Sequence, residues 1–299
     1  MKHLMVIIFI GFLSLPVSAQ ERIRNPFLWK VTKGEQEFYL FGTIHLAEPE
    51  LQLLPKSLVK VLNTSDRIYI EVPMDRATQR KATQLFLRRD HRSLKEILPS
   101  KLYHECDAYV RSLSSRMRLD SFDRMKIWAL SSTLSGLKSH LMYPNLRPID
   151  KIIYDYALSH HKKIQGIETI QEQLEIMDDF TLNEQILGLE ATMDQLNGGE
   201  DLTKKLKAYY LKGKERELLA FMNRSMFQVP KYKKLEKKLL QRVLYDRNVR
   251  MAKRIKRMVA KSPKKHYLFA FGVMHFLGMR SVIGYLKVYG YRVERMMLK

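Results

Sequence analysis

The sequence predicts an α/β fold: a central mixed β-sheet carrying two Gly-x-x-His strand ends, with a large helical insertion between them. Two apolar runs share one ending, Phe38-Tyr-Leu-Phe-Gly-Thr-Ile-His45 and Tyr267-Leu-Phe-Ala-Phe-Gly-Val-Met-His275. Runs this apolar suit strands buried on both faces, and the glycine allows a tight turn where each strand stops. Two shorter runs, Arg67 to Val72 and Lys163 to Glu168, are strand-like and carry acids at their ends, Glu71 and Glu168. The stretch from about 75 to 265 is otherwise dominated by helical patterns.

The first residues read as an address rather than a fold. Lys2 and His3 precede an apolar run from Leu4 to Leu15, then Val17-Ser18-Ala19. A short basic region, a hydrophobic region and a small-residue exit make residues 1–19 a secretory signal peptide, and the run is too short to span a bilayer. The reading is a periplasmic or secreted bacterial protein, with 20–299 as a single domain.

The mature chain opens with Phe27 to Thr32 and Glu37 to Phe41 on either side of Gly34, a β-hairpin pattern. Pro55 opens a helix that Asn63 to Asp66 breaks, and the strand to Glu71 follows. Helices are predicted over Thr78 to Arg88, Lys101 to Arg116 and Phe122 to Leu141, with a capped turn at Ser93 to Leu98. Asp150 reads as the cap of a helix through Ser159, and Thr169 as the cap of the next. Asn197-Gly-Gly-Glu200 is the clearest breaker, after which helices run from Leu202 to Lys261 with an interruption near Val229-Pro230.

The units after the two histidines are alike: a helix-like segment, then a strand with an acid, Glu71 in one and Glu294 in the other. A diverged duplication and the common recurrence of βαβ units both account for this.

The 299 residues are 45% hydrophobic and carry a net charge of +22. The charge is concentrated: residues 204–265 hold 22 Lys and Arg against four acids, and the remainder is nearly neutral. Such a block attracts an anionic membrane surface or another polyanion; a solvated helical face is the alternative. Export excludes nucleic acid as the partner. Cys106 is the sole cysteine, so no intramolecular disulfide forms, and its helical context reads as structural. His160 and His161, adjacent in a basic turn, read as surface residues.

On a helical wheel from Tyr232 to Ala260, Arg247 falls near the centre of the apolar face. A charge facing a core needs a partner, so Arg247 is either a site residue or half of a structural ion pair. Histidine nitrogen with carboxylate oxygen is a metal-binding combination. His45, His275 and Glu71 supply it if their strands adjoin, Glu168 is a further ligand or a general base, and Arg247 suits a developing oxyanion. There is no His-Glu-x-x-His helix, Gly-x-Ser-x-Gly elbow, phosphate-binding loop or Gly-x-Gly-x-x-Gly turn.

Trp29-Lys-Val, Leu40-Phe-Gly-Thr-Ile-His45, Ile70-Glu-Val72, Gly166-Ile-Glu-Thr169 with Gln173, Tyr245-Asp-Arg-Asn248 and Phe271-Gly-Val-Met-His275 with Leu277-Gly278 occur in order across residues 27–295. Together they resemble the TraB/GumN family, which is related to the Tiki metalloproteases. The resemblance implies a metal-dependent hydrolase, a peptidase acting on peptide or protein. It implies a divalent ion, Mn or Co in preference to Zn, held by His45, Glu71 and His275, with Glu168 and Arg247 as catalytic residues. The alternative function is non-enzymatic capture of a peptide or polyanion at the cell envelope. No family motif covers the basic block.

Overall fold

The computed structural model describes residues 23–198 and 202–297. The signal-peptide reading of residues 1–19, and part of the Asn197 to Glu200 breaker, lie outside the described residues.

In chain order, β1 (Leu28–Lys33) and β2 (Gln36–Thr43) are followed by α1 (Lys56–Thr64) and β3 (Arg67–Ile70). Then come α2 (Arg76–Phe86), α3 (Leu94–Ile97), α4 (Ser100–Leu113), α5 (Ile127–Met142), α6 (Ile149–Ser159) and β4 (Lys163–Gly166). Helices α7 (Ile170–Asp178), α8 (Leu182–Asn197), α9 (Leu202–Leu211), α10 (Glu215–Ser225), α11 (Lys233–Leu239) and α12 (Asp246–Lys261) precede β5 (Tyr267–Gly272), α13 (Val282–Val288) and β6 (Arg292–Arg295).

The strands form one mixed sheet in the order β4-β3-β5-β2-β1-β6. β4, β3, β5 and β2 run parallel, and β1 is antiparallel to both neighbours. The predicted hairpin is β1 and β2, closed between Lys33 and Gln36, with Gly34 at φ 57° where a side chain would be strained. β5 lies between β3 and β2, and Tyr267 to Phe271 are buried throughout. Its neighbours explain its composition, because a parallel strand covered on both faces has no solvent side to reward a polar residue. Leu58 and Leu62 of α1, Ile149 and Ile153 of α6, Met251 and Ile255 of α12 and Leu286 of α13 join it in one core. A second core, under α3, α4, α5 and α8, holds Leu102, Cys106, Leu130, Leu134 and Leu189. Burial pushes the Cys106 thiol up to about 12, which keeps it protonated and inert at neutral pH.

The structure departs from the sequence reading at several points. The predicted strand at Lys163 to Glu168 does form, as β4, and pairs with β3 in the main sheet. Asp150 is not a cap: Pro148 holds that position, and the Asp150 carboxylate is buried against β2. The Ser93 and Thr169 caps do form, each as a reciprocal capping box, with Glu96 and Glu172. The duplication finds no counterpart in the topology. The strand after His275, β6, is an antiparallel edge strand, and Glu294 is half exposed and paired with Arg292. The long helix from Tyr232 is not uniform, since Leu240–Tyr245 is a π segment between α11 and α12. That widening shifts the wheel: Leu240, Val243 and Leu244 are only partly buried, while Arg247, Asn248, Met251, Ala252 and Ile255 are buried. No helix among the described residues is long and apolar enough to cross a membrane.

Candidate active site

The parallel pairing of β2 with β5 sets Gly42 opposite Phe271 and Thr43 opposite Gly272. The two motifs therefore lie side by side, and their histidines emerge past the carboxyl ends of neighbouring strands. β3 flanks β5 on the other side, with Ile70 opposite Ala270, so Glu71 leaves its strand at the same edge. β4 matches Gly166 to Ile70, and the Glu168 amide donates to the Glu71 carbonyl at 2.9 Å. The carboxyl edge of a parallel block is where open α/β sheets bind ligands.

The imidazoles converge on one oxygen. His45 Nε2 lies 3.6 Å from Glu71 Oε1, and His275 Nε2 lies 3.7 Å from the same atom. Both contacts are longer than a hydrogen bond. Each ring's Nδ1 is engaged elsewhere, His45 with Asp150 Oδ2 at 2.8 Å and His275 with Asn248 Oδ1 at 2.6 Å. Asp150 is fixed in turn by the Thr43 hydroxyl, which donates to Oδ1 at 2.5 Å. His45 is 60% exposed through its side chain whereas His275 is buried, so the pair opens to solvent on the His45 side.

The main-chain N–H of Gly272 donates to Glu71 Oε1 at 2.7 Å. A Cβ at Gly272 would stand 3.1 Å from that oxygen, 3.4 Å from His45 Nε2 and 3.8 Å from His275 Cδ2. Glycine here keeps open the space the three side chains share. The other Glu71 oxygen accepts from Gln173 Nε2 at 2.9 Å and Arg247 Nη2 at 2.5 Å. Arg247 also donates to Glu168 Oε2 through Nε at 2.9 Å and Nη2 at 2.8 Å, and to the Val243 carbonyl through Nη1 at 3.2 Å. Arg250 donates to the remaining Glu168 oxygen at 3.0 Å. Arg247 is thus both a residue at the site and a partner in a buried ion-pair network.

These charges set the ionisation. Burial by itself raises the Glu71 pKa, but His275, His45 and Arg247 outweigh it and hold the carboxyl well below the usual carboxylate range. Asp150 foremost, with Glu71, raises the His45 pKa well above its ordinary value against the effect of burial. Burial pushes His275 down to about 4, so its ring is neutral at pH 7.

The donor set fits a divalent ion. Two imidazole Nε2 atoms face one carboxylate oxygen at 3.6 and 3.7 Å, too far for a hydrogen bond, and that oxygen accepts from the Gly272 N–H. The Nδ1 partners are what metal-binding histidines characteristically have behind them. Among the described residues no group of three or more His, Cys, Asp or Glu is placed to hold a metal ion as the side chains stand; His45 and His275 each stand 3.6 Å or more from Glu71 Oε1. Two cavities among the described residues are lined by neither histidine. One of about 590 Å³ borders Glu168, Glu172 and Arg254, and one of about 430 Å³ lies among Trp128, Phe180, Gly188 and Leu235.

All five sequence-predicted residues belong to this cluster: His45, Glu71 and His275 in contact, Glu168 and Arg247 behind Glu71. Sequence reasoning read Asp150 as a helix cap and Gly272 as a turn glycine, and placed none of Asp150, Asn248, Thr43 or Gly272 among the site residues. Asn248 had a signal, since it adjoins Arg247 on the buried side of the helix. Asp150 had none, because it reaches His45 across 105 residues of chain and only the packing of α6 on β3 and β4 brings them together.

Of the basic block, Lys207 pairs with Glu48 and Glu50, Lys231 with Glu190, Lys238 with Glu184, Arg242 with Asp179, and Arg254 with Glu172. These five of the block's 22 basic residues meet acids from the rest of the chain.

Comparison with known proteins follows the same outline. The family model described as TraB/PrgY/gumN family matches residues 27–295. The chain is 25% identical to Metalloprotease TIKI2 of Danio rerio, over 93% of this chain and 62% of that protein. It is 23% identical to Metalloprotease TIKI homolog of Nematostella vectensis, over 93% and 68% of the two chains, and 22% identical to Metalloprotease TIKI1 of Homo sapiens, over 95% and 64%. The chain spans about three-fifths of the length of the first of these relatives. No solved structure matches it. The order of motifs, the shared edge of the sheet and the length of the match agree: the chain belongs to the TraB/PrgY/gumN family.

Proposed function

We propose that this chain is an exported metal-dependent hydrolase, a peptidase acting on peptide or protein outside the cytoplasm. The observation that carries the reading is the convergence of His45 Nε2 and His275 Nε2 on Glu71 Oε1, with both Nδ1 atoms engaged from behind. The metalloprotease names of the relatives support the hydrolytic class. The Lys2 to Ala19 pattern supports export to the periplasm or beyond.

His45, His275 and Glu71 would hold the ion, with Mn or Co preferred to Zn on the family resemblance. When bound, such an ion supplies Lewis-acid polarisation of a carbonyl and activation of water near neutral pH. The protein's own residues prepare the place. Glu71 is kept ionised and aimed by Gly272, Gln173 and Arg247. Arg247 adds a permanent positive charge beside the histidine pair, where anionic charge on a substrate carbonyl would be favoured. Glu168 has both oxygens on arginines, so it enters the proposal as a positioning residue for Arg247 rather than as a base.

The test is cleavage of a peptide library by the mature protein with Mn, Co or Zn, beside a chelated sample and His275→Ala. Turnover that needs a metal and is lost in the variant supports the proposal. No turnover under any metal, with salt-sensitive binding to anionic vesicles, would favour the capture function instead.

A further inference from the structure

Asn248 touches His275 through its carbonyl oxygen, and the other end of the amide fixes which atom that must be. Asn248 Nδ2 donates to the main-chain carbonyl of Arg280 at 2.8 Å. A carbonyl can only accept, so the amide cannot be turned over without setting two acceptors against each other. Oδ1 therefore faces His275 Nδ1 at 2.6 Å, and an oxygen there requires a proton on Nδ1. The Arg280 segment is itself clamped. Its guanidinium stacks on the Tyr245 ring at 3.9 Å and donates to Gln241 Oε1 at 2.8 Å. Both partners lie in the π segment Leu240–Tyr245, one turn ahead of Asn248. Asn248 is fully buried, so water does not compete for either of its bonds.

We propose that Asn248, locked by the Arg280 carbonyl and the π segment, is a positioning residue that holds His275 in its Nδ1–H form and so presents the Nε2 lone pair towards Glu71. The inference rests on the metal-site reading for its purpose, but the tautomer itself is a property of the metal-free protein. The two histidines are thereby held differently, His45 by a carboxylate and His275 by an amide. An amide fixes the ring without adding another buried negative charge to those of Glu71, Glu168 and Asp150. The π segment has a use in this account. It supplies Gln241 and Tyr245 to the Arg280 clamp while α12 aims Arg247 and Asn248 at different partners in the site, a placement for which π segments are often retained.

The test is histidine nitrogen NMR on metal-free protein above neutral pH, with the His275 signals assigned by their loss in His275→Ala. The wild type should show His275 protonated at Nδ1 and bare at Nε2. Asn248→Asp keeps an oxygen facing Nδ1 and should retain that tautomer, whereas Asn248→Ala should shift it towards Nε2–H. Mn or Co affinity, read by titration calorimetry, should fall about 10–100-fold in Asn248→Ala and recover in part in Asn248→Asp. A wild-type ring protonated at Nε2 overturns the proposal, as does an Asn248→Ala ring unchanged from wild type. If Asn248→Ala does not fold, the wild-type and Asn248→Asp spectra still decide. A wild type with the expected tautomer that takes up none of Mn, Co or Zn upholds the positioning role and sinks the metal reading instead.

Discussion

Arg247 Nη2 lies 2.5 Å from Glu71 and 2.8 Å from Glu168, so a single buried guanidinium ties together the acids that leave the ends of β3 and β4. The carboxylate facing the histidines is thus set by an arginine delivered from α12. The arrangement makes Arg247 a residue of stability as well as of chemistry.

Arg247→Ala should lose about 3–5 kcal/mol of folding stability, because removing one member of a buried charge network leaves the others uncompensated. Arg247→Lys should lose less, since it keeps a charge but cannot span both acids. Urea unfolding of the metal-free proteins checks this. A stability change in Arg247→Ala no larger than that of an exposed substitution on α12 would contradict the network's role.

Gly272→Ala separates the site from the fold. The added methyl would stand 3.1 Å from Glu71 Oε1 and 3.4 Å from His45 Nε2, in space the core does not use. The backbone there has φ −49°, which alanine adopts readily. The variant should fold with a loss of no more than about 1–3 kcal/mol from crowding, yet bind Mn or Co much more weakly. Calorimetry and thermal unfolding of the same sample give both quantities.

The metal-free protein should be most stable near pH 6.5. His275 is depressed from 6.5 to about 4 by burial, so as pH falls below 6.5 the unfolded chain takes up its proton first and stability is lost. His45 is raised well above 6.5, chiefly by Asp150, so its contribution is complete below 6.5 and fades as pH rises through its folded value. Glu71, depressed below 4.5, weakens the fold only at still lower pH. Urea midpoints on both sides of the optimum test this: His275→Gln should flatten the acid limb and His45→Gln the alkaline limb.

Asp150→Asn should weaken metal uptake about 10–100-fold, as loss of a carboxylate behind a ligating histidine does elsewhere. The wild type should release a proton when it takes up metal at pH 7, because the carboxylate of Asp150 keeps His45 protonated in the metal-free state. Calorimetry in buffers of different ionisation enthalpy reads the proton count, which should fall in Asp150→Asn.

The sheet's centre was legible because it is written in local patterns. The β2 and β5 runs are too apolar for anything but buried strands, and the shared Gly-x-x-His ending marks where each stops. The hairpin at Gly34 and the capping boxes at Ser93 and Thr169 were equally local. What could not be read depends on contacts distant in sequence. Asp150 looks like a helix cap, and only the seating of α6 against β3 and β4 turns it towards His45. The π segment has no mark in composition, and the regular wheel that singled out Arg247 gave Asn248 no role. The apparent repeat after each histidine misled for a related reason, since pattern does not encode strand direction and β6 runs antiparallel at the sheet's far edge. The acidic partners of the basic block, Glu48, Asp179, Glu184 and Glu190, were equally out of reach, because they lie in other parts of the chain.

The most direct test of the central claim is metal analysis of the purified mature protein after exposure to Mn, Co and Zn, beside His45→Ala and His275→Ala prepared identically. The account predicts about one ion per wild-type chain and none above background in either variant, with all three proteins retaining the same far-ultraviolet circular dichroism. A wild type that takes up no metal, or histidine variants that retain it in full, would contradict the claim that these two imidazoles and Glu71 form a metal centre.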